Sequence, residues 1–217
     1  VAPIPDSGYA IYGPQECQML TLSILIPTIA RPSLGIAMRS YLDQMIDGDE
    51  LIVLSDGELP EAEKMFDETI GKYMVRGKAI YEPMRKTGHY GAFQIDRGLE
   101  LASADAVLFC GDDDCAEPGA LATIRERLAA QTEACVHIFQ YRQDDWVSDY
   151  RYPSTGQQFV APLELARKVK YTADLGNIND MIYIHAVIAA SGKPIVPQNA
   201  IISWINGAEA QVVSKSN

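Results

Sequence analysis

Four short apolar runs, each followed by a stretch of helical spacing, constrain this chain more than any other feature. They are LSILIPT (Leu22–Thr28), ELIVLSDG (Glu50–Gly57), KAIYEP (Lys78–Pro83) and AVLFCGD (Ala106–Asp112). Between and after them, Pro32–Ile46, Glu58–Met74, His89–Ala102 and Pro118–Gln131 carry apolar residues at helical intervals, with Pro60 and Pro118 near two of the helix starts. Strand–helix alternation at this spacing predicts βαβ units and a mostly parallel sheet. The runs are continuously apolar rather than alternating, as expected of strands covered on both faces. The expected fold class is therefore α/β: a Rossmann-like, mostly parallel sheet flanked by helices, in a single domain.

A sheet of this kind places ligands beyond the carboxyl ends of its strands. Three of those ends are polar here: Thr28 and Arg31, Ser55 and Asp56, and Asp112 to Asp114. They should converge on one crevice. The triple run Asp112-Asp113-Asp114 is the sharpest chemical signal. Three adjacent carboxylates repel one another, which raises at least one pKa unless a cation sits among them. Hard oxygen ligands of this type suit Mg²⁺ or Mn²⁺, which keep open positions for substrate phosphates. A solvated acidic turn before the helix near Pro118 is the plainer alternative.

Beyond Gln131 the pattern changes. ACVHIFQYR (Ala134–Arg142) reads as a strand and Asp144–Gln158 as an aromatic, polar loop or hairpin. Ala161–Lys170 reads as a short helix, Asn177–Ser191 as a second one stopped by Gly192, and Pro194–Ile205 as a closing strand. Residues 1–20 lack periodicity and read as an irregular arm. Residues 21–131 and residues 132–217 read as two halves of the same domain.

The 217 residues carry a formal net charge of -11. An acidic field repels phosphate backbones and anionic lipid, which disfavours a nucleic-acid partner. The longest apolar stretch, Met19–Ala30, contains Pro27 and is too short to span a bilayer. No basic segment precedes an apolar core as in a secretory leader. The four cysteines (Cys17, Cys110, Cys115 and Cys135) form no CxxC pair, and with His89, His137 and His185 they complete no zinc pattern. Reduced thiols and a cytoplasmic location are expected.

Four segments resemble the family 2 glycosyltransferases of the GT-A fold. Leu22–Arg31 is similar to the opening strand with its Pro-Thr end, and Glu50–Glu58 to the second strand with its Asp-Gly turn. Gly91–Leu121 is similar to a helix, then a strand, then the DxD motif and the Pro-x-x-Leu helix start. Gly176–Val196 is similar to the helix that carries the catalytic carboxylate. The resemblance implies a metal-dependent, hexosyltransferase-like enzyme moving a sugar from a nucleotide-diphosphate donor, a UDP-sugar favoured, to an acceptor hydroxyl. By position it implies Pro27, Thr28 and Arg31 in the nucleotide pocket, Asp56 at the base, Asp96 near the donor and Asp112 at the ribose or sugar. It implies a Mn²⁺ or Mg²⁺ ion among Asp112, Asp113 and Asp114, and Asp180 as the base of an inverting reaction. Two positions depart from the family pattern: Gly111 stands where many members have Asp, and Asn179 where Glu usually precedes the catalytic Asp.

The acceptor class (glycan, lipid, protein or modified base) is left open by these residues. A polymerising synthase is not expected, because the chain has no membrane segment or extended acceptor domain. Two alternatives share the scaffold. A sugar-phosphate nucleotidyltransferase would need a Gly-rich, basic loop after the first strand, yet IPTIARPS has no glycine before Gly35. A non-catalytic nucleotide- or metal-binding module would bind donor without turnover.

Overall fold

Alternate residues of the central strands go to opposite faces of one sheet, which is why the runs are apolar throughout. The structure, a computed structural model, describes residues 19–89, 91–131, 133–149, 151, 153, 155–171, 178–208 and 211. In strand β1 (Leu22–Thr28), Ile24 and Ile26 pack into one core and Leu25 into the other. Strand β2 (Glu50–Ser55) divides in the same way, Leu51 and Val53 against Ile52 and Leu54. So does β4 (Ala106–Phe109), Leu108 against Val107 and Phe109. This is the two-residue period of a pleated strand acting on a sheet covered on both sides.

Helices α1 (Leu34–Leu42), α2 (Pro60–Ile70) and α4 (Ala120–Ala129) bury their apolar sides in the first core. Helices α3 (Ala92–Leu101), α5 (Leu163–Ala166) and α6 (Asn179–Ser191) bury theirs in the second. With β3 (Lys78–Pro83), the strands β3-β2-β1-β4 form a parallel block. These elements follow the expected order, with helix ends trimmed by a few residues.

The second half adds β5 (Cys115–Ala116), β6 (His137–Gln143), β7 (Trp146–Val147), β8 (Phe159–Pro162) and β9 (Val196–Trp204). The full order is β3-β2-β1-β4-β8-β6-β9-β5, with β7 hairpinned onto β6. Strand β8 runs antiparallel to both β4 and β6, so the sheet continues past β4 and curls. The expected helix over Ala161–Lys170 shrinks to the single turn of α5, its start taken by residues 160–162, which pair with β4 instead. Residues 1–18 of the expected arm and Asn177, the expected start of α6, lie outside the described residues.

A buried ion pair ties the edge of the parallel block to α4. The fully buried Asp49 accepts hydrogen bonds from the backbone N–H of Leu22 (2.9 Å) and Ile46 (2.9 Å), and from the Arg125 guanidinium. Arg125 Nε also donates to the Leu20 carbonyl at 3.0 Å. Removing the carboxylate strands a nearly buried cation and two backbone donors. Asp49→Ala is expected to lower the unfolding free energy by about 3–5 kcal/mol in urea titration. A loss below about 1 kcal/mol would show that water replaces the carboxylate.

Candidate active site

The ends of β1, β2 and β4 open into one cavity of about 400 Å³, closed on the far side by residues before β8 and by the N-terminus of α6. Pro27, Thr28, Arg31, Asp56, Asp112 and Asp180 all line it. Six candidates from four separate segments are thus brought together. Asp96 is not among the lining residues. It sits half-buried on α3 and accepts the Tyr171 N–H at 2.8 Å, and burial raises its carboxyl pKa.

The acidic run begins where β4 ends, and its three carboxylates differ in surroundings. Asp112 is buried and turned back onto the β1 end. Its Oδ2 accepts from Thr28 Oγ1 (2.6 Å), the Ile29 N–H (3.1 Å) and the Arg31 N–H (3.4 Å), and its Oδ1 from Arg31 Nη1 (2.5 Å). Asp114 is also buried, accepting from the Gly111 N–H (3.2 Å), Gln157 Nε2 (2.6 Å) and the Asn206 N–H (2.8 Å). Burial, then the charge of Asp113, pushes the Asp114 carboxyl up to about 6, against the pull of those donors. Asp113 is the most open of the three, its side chain 20% exposed, with Arg31 Nη1 3.2 Å away.

Gly111 makes this crowding possible. A Cβ there would lie 2.7 Å from both Asp113 Oδ1 and Asp114 Oδ2, inside van der Waals contact. A side chain at this position would push the two carboxylates aside. Among the described residues, no group of three or more His, Cys, Asp or Glu could by itself hold a metal ion. The acidic run nonetheless has the chemistry of a partial hard-cation site. A carboxylate pair faces the niche a Cβ would fill, and one member is driven towards protonation when no cation is near.

At the end of β2, Asp56 is deeply engaged. Its Oδ1 accepts from the Thr87 N–H (2.6 Å), Thr87 Oγ1 (2.9 Å) and Gln94 Nε2 (3.0 Å), and its Oδ2 from the Gly88 N–H (2.8 Å). Burial opposes its ionisation, but these four donors outweigh it and hold the carboxyl below its usual range. Gly91 starts α3 at φ 80°, with its Cα against Pro27: a Cβ would lie 3.0 Å from the proline ring. Only glycine combines that backbone conformation with that approach.

Asp180 lies in the first turn of α6, where the helix dipole favours an anion. Its Oδ2 accepts the Gly156 N–H at 2.8 Å, and its Oδ1 the Tyr171 hydroxyl. Tyr171 stacks on Tyr183 (ring centroids 4.8 Å apart), which packs on Phe109 and Phe159. Burial, with the Asp180 charge next in weight, raises the Tyr171 hydroxyl well above its usual range, so it stays a proton donor. Thr87, Gln94, Gln157 and Tyr171 were not among the sequence candidates. Only the polar end of the Asp144–Gln158 loop offered any hint of Gln157.

A curled α/β sheet with a cavity at its strand ends, Asp112 of the acidic run on one wall and a helix-borne carboxylate opposite is the architecture of the GT-A fold; Asp113 and Asp114 are not among the lining residues. The sequence profile of Glycosyl transferase family 2 matches residues 23–189. The chain belongs to that family. Its fold is similar to that of residues 1–349 of TarS from S. aureus, solved in complex with UDP-GlcNAc. The TM-score is 0.71 at 12% identity, over 85% of this chain and 58% of that one. It is also similar to the mannosyltransferase PcManGT from Pyrobaculum calidifontis, in complex with GDP-Man and Mn²⁺: TM-score 0.67 at 13% identity, over 90% and 60%. A mycobacterial protein matches with TM-score 0.59 at 18% identity, over 86% and 65%. The chain thus spans about three fifths of the length of these structures. A comparison with curated protein sequences gives no match. Among the described residues, no helix is long and apolar enough to cross a membrane.

Proposed function

We propose that this chain transfers a sugar from a nucleoside-diphosphate donor, a UDP-sugar favoured, to an acceptor hydroxyl with inversion at the anomeric carbon. One observation carries the reading: the β1, β2 and β4 ends and the α6 carboxylate share a single cavity of about 400 Å³. That is within the size range of a small-molecule site.

In this reading the base lies at the Asp56–Gln94 end and the diphosphate at the Arg31 end. The Arg31 guanidinium, held by Asp112, is a fixed cation for phosphate oxygens. Asp113 would hold Mn²⁺ or Mg²⁺, with Asp112 and Asp114 orienting the segment from behind. The bound ion supplies Lewis-acid neutralisation of the leaving diphosphate.

Asp180 is the general base. Its carboxylate takes the proton of the acceptor hydroxyl as that oxygen attacks the anomeric carbon, and the bond to the diphosphate oxygen breaks on the opposite face. Tyr171 and Gly156 each donate to one oxygen of Asp180, which orients the carboxylate and leaves a lone pair for the incoming proton. Asp96 acts through Tyr171, whose backbone it anchors.

The test is release of nucleoside diphosphate from UDP- and GDP-sugars by the purified chain, with and without Mn²⁺. Slow metal-dependent release from one donor, faster with a matching acceptor, is expected. Binding without release would instead support the non-catalytic module. Neither binding nor release would overturn the donor site.

A further inference from the structure

We propose that Arg31 makes metal binding at the acidic run depend on the donor diphosphate. In the free protein its guanidinium balances the Asp113 carboxylate, and it yields that carboxylate to Mn²⁺ or Mg²⁺ when phosphate oxygens arrive to bind both cations. The proposal rests on the nucleotide-sugar reading above and adds to it how metal and donor depend on one another.

A single nitrogen serves two carboxylates of the run. Arg31 Nη1 lies 2.5 Å from Asp112 Oδ1 and 3.2 Å from Asp113 Oδ2. Arg31 and Asp112 line the cavity, and Asp113 does not. Asp113 is thus tied to the cavity wall by a guanidinium that already balances its charge. A metal ion arriving alone competes with that guanidinium for the carboxylate. With the ion on Asp113 and the guanidinium on Asp112, like charges stand on adjacent residues, in a partly buried site where screening is weak. A diphosphate carries enough negative charge to bind both, the guanidinium through its N–H donors and the metal through oxygen. Each ligand therefore raises the affinity of the site for the other, by the same factor.

Arg31 can give up Asp113 and keep its own place. Asp112 Oδ2 accepts from Thr28 Oγ1 and from the Ile29 and Arg31 N–H groups, and Thr28 Oγ1 accepts the Ala30 N–H at 3.0 Å. These bonds hold Ala30 at φ 67°, a left-handed conformation that a residue with a Cβ rarely adopts. The two oxygens of Asp112 divide the work: Oδ2 fixes the loop, and Oδ1 keeps the guanidinium beside the cavity. What Arg31 loses to the metal is the longer of its two carboxylate contacts. Its side chain is 43% exposed, so the exchange needs no unpacking of the core.

The test has two arms on the full chain. Binding of Mn²⁺ alone is read from the electron paramagnetic resonance signal of the free ion, and binding of UDP and GDP by calorimetry with and without Mn²⁺. In Arg31→Gln, Mn²⁺ alone should bind about ten- to hundredfold more tightly than to wild type, the worth of a hydrogen-bonded charge pair. Nucleotide binding in the presence of Mn²⁺ should fall by a similar factor. A role confined to phosphate binding would weaken the nucleotide and leave Mn²⁺ alone unchanged, which overturns the proposal while leaving the donor site intact. The gain should vanish in Arg31→Gln combined with Asp113→Asn; a gain that survives places the ion elsewhere and overturns it too. Arg31→Lys keeps the charge and should stay near wild type for Mn²⁺ alone, and a gain there as large as in Arg31→Gln would refute the charge argument. Wild type by itself also decides: nucleotide affinity that is equal with and without Mn²⁺ sinks the proposal. A wild type that binds neither UDP nor GDP under either condition overturns the underlying reading as well.

Discussion

Asp180→Asn is expected to lower kcat about 10²- to 10⁴-fold, the usual contribution of a positioned general base. Donor affinity should be unchanged. The amide keeps the shape of the carboxylate: its oxygen can accept the Gly156 N–H, and its NH2 can donate to the Tyr171 oxygen once that hydroxyl turns. What it loses is the capacity to take a proton. The effect should therefore fall on kcat and on kcat/KM alike, the signature of an interaction made in the transition state. Steady-state kinetics with donor saturating and acceptor varied reads this directly. A variant within about tenfold of wild type in kcat would assign the proton to another group and remove the basis for inversion at Asp180.

The second large effect is expected at the acidic run. Asp113→Asn should weaken Mn²⁺-dependent donor binding about a hundredfold or more, down to the affinity seen without metal. Among the three carboxylates, Asp113 has the most open side chain. Asp112 is occupied by Thr28, Ile29 and Arg31, and Asp114 by Gly111, Gln157 and Asn206. Asp114→Asn removes a carboxylate whose pKa is raised by burial and then by the Asp113 charge, and since its oxygens are already taken by protein donors this variant should keep metal-dependent donor binding within about tenfold of wild type. Paired calorimetric titrations with and without Mn²⁺ separate the two variants. If metal dependence survives in Asp113→Asn and disappears in Asp114→Asn, the ligand assignment is reversed.

The scaffold is also distinguishable from a sugar-phosphate nucleotidyltransferase at this point. The segment after β1 is turned inward by Asp112, whose carboxylate collects its Ile29 and Arg31 backbone donors. Those N–H groups are spent on a side chain and do not form the open, glycine-rich cradle that a triphosphate requires. Arg31 contributes its side chain instead, in keeping with a diphosphate donor.

The parallel block β3-β2-β1-β4 and its helices were legible because each strand is buried on both faces. That condition writes itself into a few consecutive residues as an unbroken apolar run, with polar residues only where the strand ends. Thr28, Arg31, Asp56 and Asp112 could be named for the same reason, since the carboxyl ends of parallel strands meet at one edge. The two-residue β5 and the four-residue β8 left no such trace. Their pairing with β9, and with β4 and β6, is set by partners far along the chain.

The roles inside the cavity were decided by contacts of the same long-range kind. Gln94 reaches Asp56 across 38 positions, Gln157 reaches Asp114 across 43, and the Asn206 N–H reaches Asp114 across 92. Sequence by itself determined which carboxylates stand at the strand ends, because local burial patterns place them there. Tertiary structure alone decided which carboxylates are buried among donors, which one keeps the most exposed side chain, and which amide oxygen has no hydrogen-bond partner among the described residues. Hydrogen-bond capacity is used up by neighbours in space, and spacing along the chain carries no record of them.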